Sequence, residues 1–126
     1  MMARTTENEI AALLKWEQVI SDIFVRTEKF PKTLRHSLVS RIQNTSLDVL
    51  DLIVVAKYSS GQAKVESLNR ANIALTRLQV LVRLAHSLGA LGNSGYEAIS
   101  RGIVETGSML GGWRKSVQAN PGQAID

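Results

Sequence analysis

No cysteine occurs in the 126 residues of this chain, so disulfides and thiolate metal sites are excluded. Proline is almost missing: Pro31 and Pro121 are the only two, and each stands where a helix is expected to stop. Aromatic residues make up 5% of the chain, and Tyr58 is the only one between residues 31 and 90. Readout of nucleic-acid bases by aromatic stacking is therefore poorly supported. Long apolar runs are missing too. The longest, 10–14 and 52–56, have five residues each, against the ~20 that a membrane span requires. The polar N-terminus is followed by an apolar run that Lys15 interrupts before it reaches the length of a signal peptide. The expected location is the cytoplasm, with no membrane partner.

The residues present are those of a globular chain, 44% hydrophobic and 21% charged. Their number fits one domain, residues 1–126, with a sizeable core. The net charge of +4 is unevenly placed. Residues 1–30 carry four basic and five acidic side chains, residues 31–90 eight and three, and residues 91–126 three and three. A basic middle raises the expectation of an acidic partner, with nucleic acid foremost.

Apolar residues recur with the helical period, and no stretch alternates with period two. Glycine and serine clusters at 58–61 and 89–95 have the composition of short connections. Four helices are expected, at about 7–29, 33–57, 62–88 and 94–118, with a flexible tail at 119–126. Short loops force antiparallel neighbours, so the expected fold is an all-α, up-down-up-down antiparallel four-helix bundle. On the first helix Ile10, Leu13, Leu14, Ile20, Phe24 and Thr27 form one stripe, with Trp16, Val19 and Ile23 adjoining it. The second turns Leu34, Leu38, Ile42, Thr45, Val49, Leu52, Ile53 and Ala56 inward. The fourth buries Ile99, Gly102, Ile103, Thr106, Met109, Leu110, Trp113 and Val117. Beside that stripe Val104, Gly107 and Gly111 make a low flank on which a neighbouring helix is expected to sit.

The third helix is apolar on two opposite sides. Ala71, Ala74, Leu75, Leu78, Leu81, Val82, Ala85 and Leu88 make a core stripe, while Ile73, Val80, Leu84 and Leu91 lie opposite, between arginines. Leu47, Leu50 and Val54 face outward on the second helix in the same way. A monomer gains nothing from such faces, since each exposed aliphatic side chain forgoes ~1.5 to 3 kcal/mol of burial. These seven residues are the expected oligomer interface. Lys32, Arg35, Arg41, Lys64, Arg70, Arg77 and Arg83 are the expected contacts to phosphate or to an acidic protein, arginine because its planar fork donates two hydrogen bonds at once.

No set of nucleophile, base and orienting residue is apparent. A di-iron bundle needs Glu-x-x-His pairs, and there are none. His36 and His86 are solitary, Asp48 and Asp51 read as a solvated pair, and Ser59-Ser60-Gly61 reads as a helix N-terminus rather than a phosphate loop. No metal, cofactor or enzymatic activity is expected.

Several local patterns occur together: Trp16-Glu17-Gln18-Val19-Ile20, the break Phe30-Pro31-Lys32, the arginine-rich helix ending in Val82-Arg83-Leu84-Ala85-His86 and Leu88-Gly89, and Leu110-Gly111-Gly112-Trp113. In this order, over roughly residues 10–118, the chain resembles the accessory variability determinant family of diversity-generating retroelements. The wider group is the four-helix-bundle proteins encoded within ribosomal-RNA intervening sequences. The resemblance implies a homopentameric, positively charged barrel without catalytic residues. Such a barrel binds the element's reverse transcriptase and template RNA and supports adenine-directed mutagenic complementary-DNA synthesis. DNA is a further possible ligand. Two alternatives stand beside it: an intervening-sequence-type nucleic-acid-associated bundle without a reverse transcriptase, and an oligomeric scaffold that contacts only protein.

Overall fold

The computed structural model describes residues 2–119, with side chains from Glu7 onward. Over these residues the chain folds as α1 (Met2–Thr27), α2 (Ser40–Lys57), α3 (Gly61–Ser87) and α4 (Asn93–Ala119), without strands. Packing runs in a cycle, α1 on α2, α2 on α3, α3 on α4 and α4 on α1. This is an all-α four-helix bundle. Of the expected flexible tail, Ala119 closes α4, and 120–126 lie outside the described residues.

The connections follow from local chemistry. Pro31 has no N–H to continue a helix, and its backbone (φ −53°, ψ 140°) is extended. Thr27 ties the end of α1 to α2: its hydroxyl donates to the Ile23 carbonyl at 2.8 Å and accepts from Gln43 Nε2 at 3.0 Å. After the break comes a 3₁₀ turn, Lys32–Leu34, then a π-helical stretch, Arg35–Val39. The expected second helix is therefore not one regular piece. The wider π turn brings the successive residues Leu38 and Val39 both into the core.

The α3–α4 connection lies at the same end of the bundle, and α3 closes there in a Schellman turn. The Ala90 N–H bonds to the Ala85 carbonyl and the Gly89 N–H to that of His86, both at 3.0 Å. Gly89 stands at φ +78°, where a side chain would be strained. Two expectations fail here for one reason. The periodic reading carried helix three past its end, placing Leu91 outside and Leu88 inside. The reversal at Gly89 instead sends Leu91 into the core at 6% exposure and leaves Leu88 exposed.

Trp16, Trp113, Ile23, Ile42, Ile53, Leu68, Leu78, Ile99 and Leu110 are the large fully buried side chains. On α1 the buried line runs through Ala12, Trp16, Val19 and Ile23, so the stripe expected to adjoin the core is its centre. Ile10 and Leu14 face solvent. Met109 on α4 is likewise exposed rather than buried. Val19 packs directly on Gly102 of α4, and the Trp16 indole reaches the Ser46 carbonyl of α2, which turns this line inward.

The glycines of α4 differ sharply. A Cβ on Gly102 would stand 2.7 Å from Val19 Cγ2, so here α1 and α4 touch through a missing side chain. A Cβ on Gly107 would meet Asn72 and Leu75 of α3 at an ordinary 3.8 Å, and one on Gly111 would meet nothing within 4 Å. Within the bundle no helix sits on Gly111. Gly111→Ala is therefore expected to stabilise the protein by up to about 1 kcal/mol through helix propensity alone, whereas Gly102→Ala is expected to destabilise it. Thermal unfolding followed by circular dichroism reads both. A lower midpoint for Gly111→Ala would show that something covers this site.

Candidate protein and nucleic-acid interfaces

Of the seven basic residues expected to meet phosphate, six are exposed: Lys32, Arg35, Arg41, Arg70, Arg77 and Arg83. None of the six is in an ion pair among the described residues. Two cations outside that set are matched. Arg26 pairs with Asp22 through Nε at 2.9 Å, and Lys15 pairs with Glu105 across α1 and α4.

Lys64 corrects the seventh expectation. It lies inside the bundle at 6% exposure, with Nζ 3.1 Å from Glu9 Oε1 and 5.8 Å from the centre of the Trp113 ring. Its position in the first turns of α3 directs it toward α1 and α4 rather than outward. A lysine so enclosed, with its charge matched by a carboxylate, is out of reach of an external phosphate. The sequence signal for its partner was weak because Glu9 lies 55 residues away.

The free cations do not form a single patch. Arg70 and Arg77 line a groove of about 440 Å³ between α2 and α3, and Asp48, Asp51, Leu52, Ile73 and Ala74 line the same groove. The two carboxylates expected to be simply solvated thus stand in the field of two arginines. Arg35 lines a separate groove at the α1–α2 connection with Glu28, Phe30 and Pro31.

Among the residues expected at the oligomer interface, Ile73, Val80 and Leu84 on α3 and Leu47 and Val54 on α2 are exposed, from 38% to 62%. Leu50 differs from expectation: it is half-buried and packs against the core, as does Leu91 more completely. The periodic reading missed further exposed apolar residues, namely Ile10, Leu14 and Val25 on α1, Val55 on α2 and Tyr58 directly after α2. On α1 a signal was present. Ile10, Leu14, Glu17 and Ser21 recur at three- and four-residue intervals, a line as regular as that on α3.

His36 is exposed. His86 stacks on Tyr96, ring centres 4.4 Å apart, and its Nε2 stands 2.7 Å from Asn93 Oδ1, which closes the α3–α4 turn. Among the described residues no group of three or more His, Cys, Asp or Glu converges as metal ligands, and no helix is long and apolar enough to cross a membrane.

The bAvd-like family model, for bacterial accessory variability determinants, matches residues 11–117. The chain belongs to this family. The match runs from α1 to α4 and contains the core tryptophans, the Phe30-Pro31 break, the arginines of α3 and the Schellman turn at Gly89. No curated protein matches the chain. Membership makes it an accessory variability determinant-type protein, and its four helices are the frame on which the six free cations and the exposed apolar lines are displayed.

Proposed function

We propose that the chain is the non-catalytic accessory subunit of a diversity-generating retroelement. It acts in the cytoplasm as a basic homo-oligomer that binds the element's reverse transcriptase and template RNA. The polymerase carries the chemistry, and this protein supplies positioning and charge. The observation that carries the reading is the set of six exposed, unpaired cations on a bundle of this family. The exposed lines on α1, α2 and α3 support self-association, and the pentamer is the number implied by the family resemblance. Symmetry repeats each cation around the assembly, so modest contacts per subunit sum to useful avidity.

Phosphate contacts of this kind are read by salt. Binding to a mixed-sequence RNA is expected to fall by about tenfold or more between 50 and 200 mM salt. The triple variant Lys32→Ala, Arg35→Ala, Arg41→Ala is expected to weaken it further and to flatten the salt slope by about one per phosphate contact removed. Fluorescence anisotropy with labelled RNA measures both. RNA affinity untouched by salt and by the three substitutions would leave a scaffold that contacts only protein.

A further inference from the structure

The outward faces of α1 and α3 carry matching patterns of opposite charge. On α1, Ile10, Leu14 and Val25 are exposed beside Glu17, and the acid Glu28 follows directly after the helix. On α3, Ile73, Val80 and Leu84 are exposed beside Arg70 and Arg77, whose groove also holds Asp48 and Asp51 of α2 without an ion pair to them. None of Glu17, Glu28, Arg70 and Arg77 is in an ion pair among the described residues. Helices α1 and α3 are not packing neighbours; each is separated from the other by α2 and α4. Within one copy, then, the acidic-apolar face and the basic-apolar face point away from each other and cannot satisfy one another.

We propose that α1 of one copy lies along α3 of the next, with Glu17 against Arg77, in a head-to-tail contact between unlike faces. This rests on the self-association proposed above and names the surfaces that carry it. The spacing supports the register. Eleven residues separate Leu14 from Val25, and eleven separate Ile73 from Leu84. When the two helices run in the same direction, Leu14 comes opposite Ile73 and Val25 opposite Leu84, and Arg77 stands one residue, about 1.5 Å, past the position opposite Glu17. Apolar pairs then flank one charge pair, the alternation of a coiled-coil seam.

Contacts between unlike faces propagate, closing into a ring when each copy is turned relative to the last. The α3 face supplies such a turn. Arg70, Ile73 and Arg77 line the groove toward α2, so this face leans to the α2 side instead of standing directly opposite α1. A consequence for RNA binding follows. Arg77 is enclosed in the seam, and Lys32, Arg35, Arg41, Arg70 and Arg83 remain for phosphate.

The absence of native cysteine makes the test clean. In the full chain carrying Leu14→Cys and Ile73→Cys, mild oxidation is expected to give a ladder of covalent multimers. A disulfide needs Cα atoms within about 7 Å, which two non-adjacent outward faces of one bundle do not offer. A control chain with Leu14→Cys and Val104→Cys, whose second site is exposed on α4, is expected to give no ladder. Separately, Glu17→Lys and Arg77→Glu are each expected to raise the concentration for half-assembly by about tenfold or more at unchanged helicity. The double variant is expected to recover most of that loss. A wild-type multimer that yields no Leu14→Cys/Ile73→Cys ladder, or a double variant no better than the single ones, overturns the pairing and leaves self-association intact. A wild type that stays at 13.8 kDa at every concentration overturns both.

Discussion

Lys64→Met is expected to cost about 3 to 5 kcal/mol of stability, because it strands the Glu9 carboxylate in the interior. The pair is enclosed, with side chains 8% and 10% exposed, and joins the start of α3 to α1 across a diagonal of the bundle. The Trp113 ring, 5.8 Å from the ammonium, adds a face of negative potential on the same side. Removing both charges together is a different experiment. Lys64→Met with Glu9→Leu is expected to recover most of the loss, since a buried ion pair and an apolar pair of similar volume are often close in stability. Urea unfolding of the three variants measures this. A Lys64→Met protein as stable as the wild type would mean that the lysine is solvated and available to ligands after all.

The second large effect is at Trp16. Its indole is fully buried, and Nε1 donates to the Ser46 carbonyl of α2 at 2.8 Å. Trp16→Ala removes the largest side chain of α1 and the hydrogen bond, and is expected to cost about 3 to 5 kcal/mol. Trp113 is buried to the same degree, yet its Nε1 has no hydrogen-bond partner among the described residues. The two tryptophans therefore separate packing from hydrogen bonding. Trp16→Phe is expected to lose about 1 kcal/mol more than Trp113→Phe, by chemical denaturation. Equal losses would mean that the Ser46 bond contributes nothing measurable.

Helical periodicity and two kinds of break made much of the bundle legible. Pro31 and the Gly89 cluster sit at the expected ends, and the core stripes of α2 and α3 fall where the period puts them, apart from residues beside a break. The failures share a cause, which is that packing partners far away in sequence decide among near-equal local choices. On α1 apolar residues occur on most of the circumference, and the close approach at Gly102 and the Trp16–Ser46 bond select which of them faces inward. Lys64 reads as a surface cation until Glu9 is placed beside it. Leu91 reads as a continuation of α3 until the chain reverses at Gly89. The outer line of α3, by contrast, was visible from spacing alone, because no break falls between Ile73 and Leu84.

Co-purification of this protein with the reverse transcriptase and template RNA of the proposed retroelement, sized by light scattering, tests the proposed role most directly. A particle holding several copies of this chain with polymerase and RNA is expected, and the Lys32→Ala, Arg35→Ala, Arg41→Ala variant is expected to be lost from it at about 200 mM salt. A chain that runs alone at 13.8 kDa, leaving polymerase and RNA free in the same mixture, would contradict it.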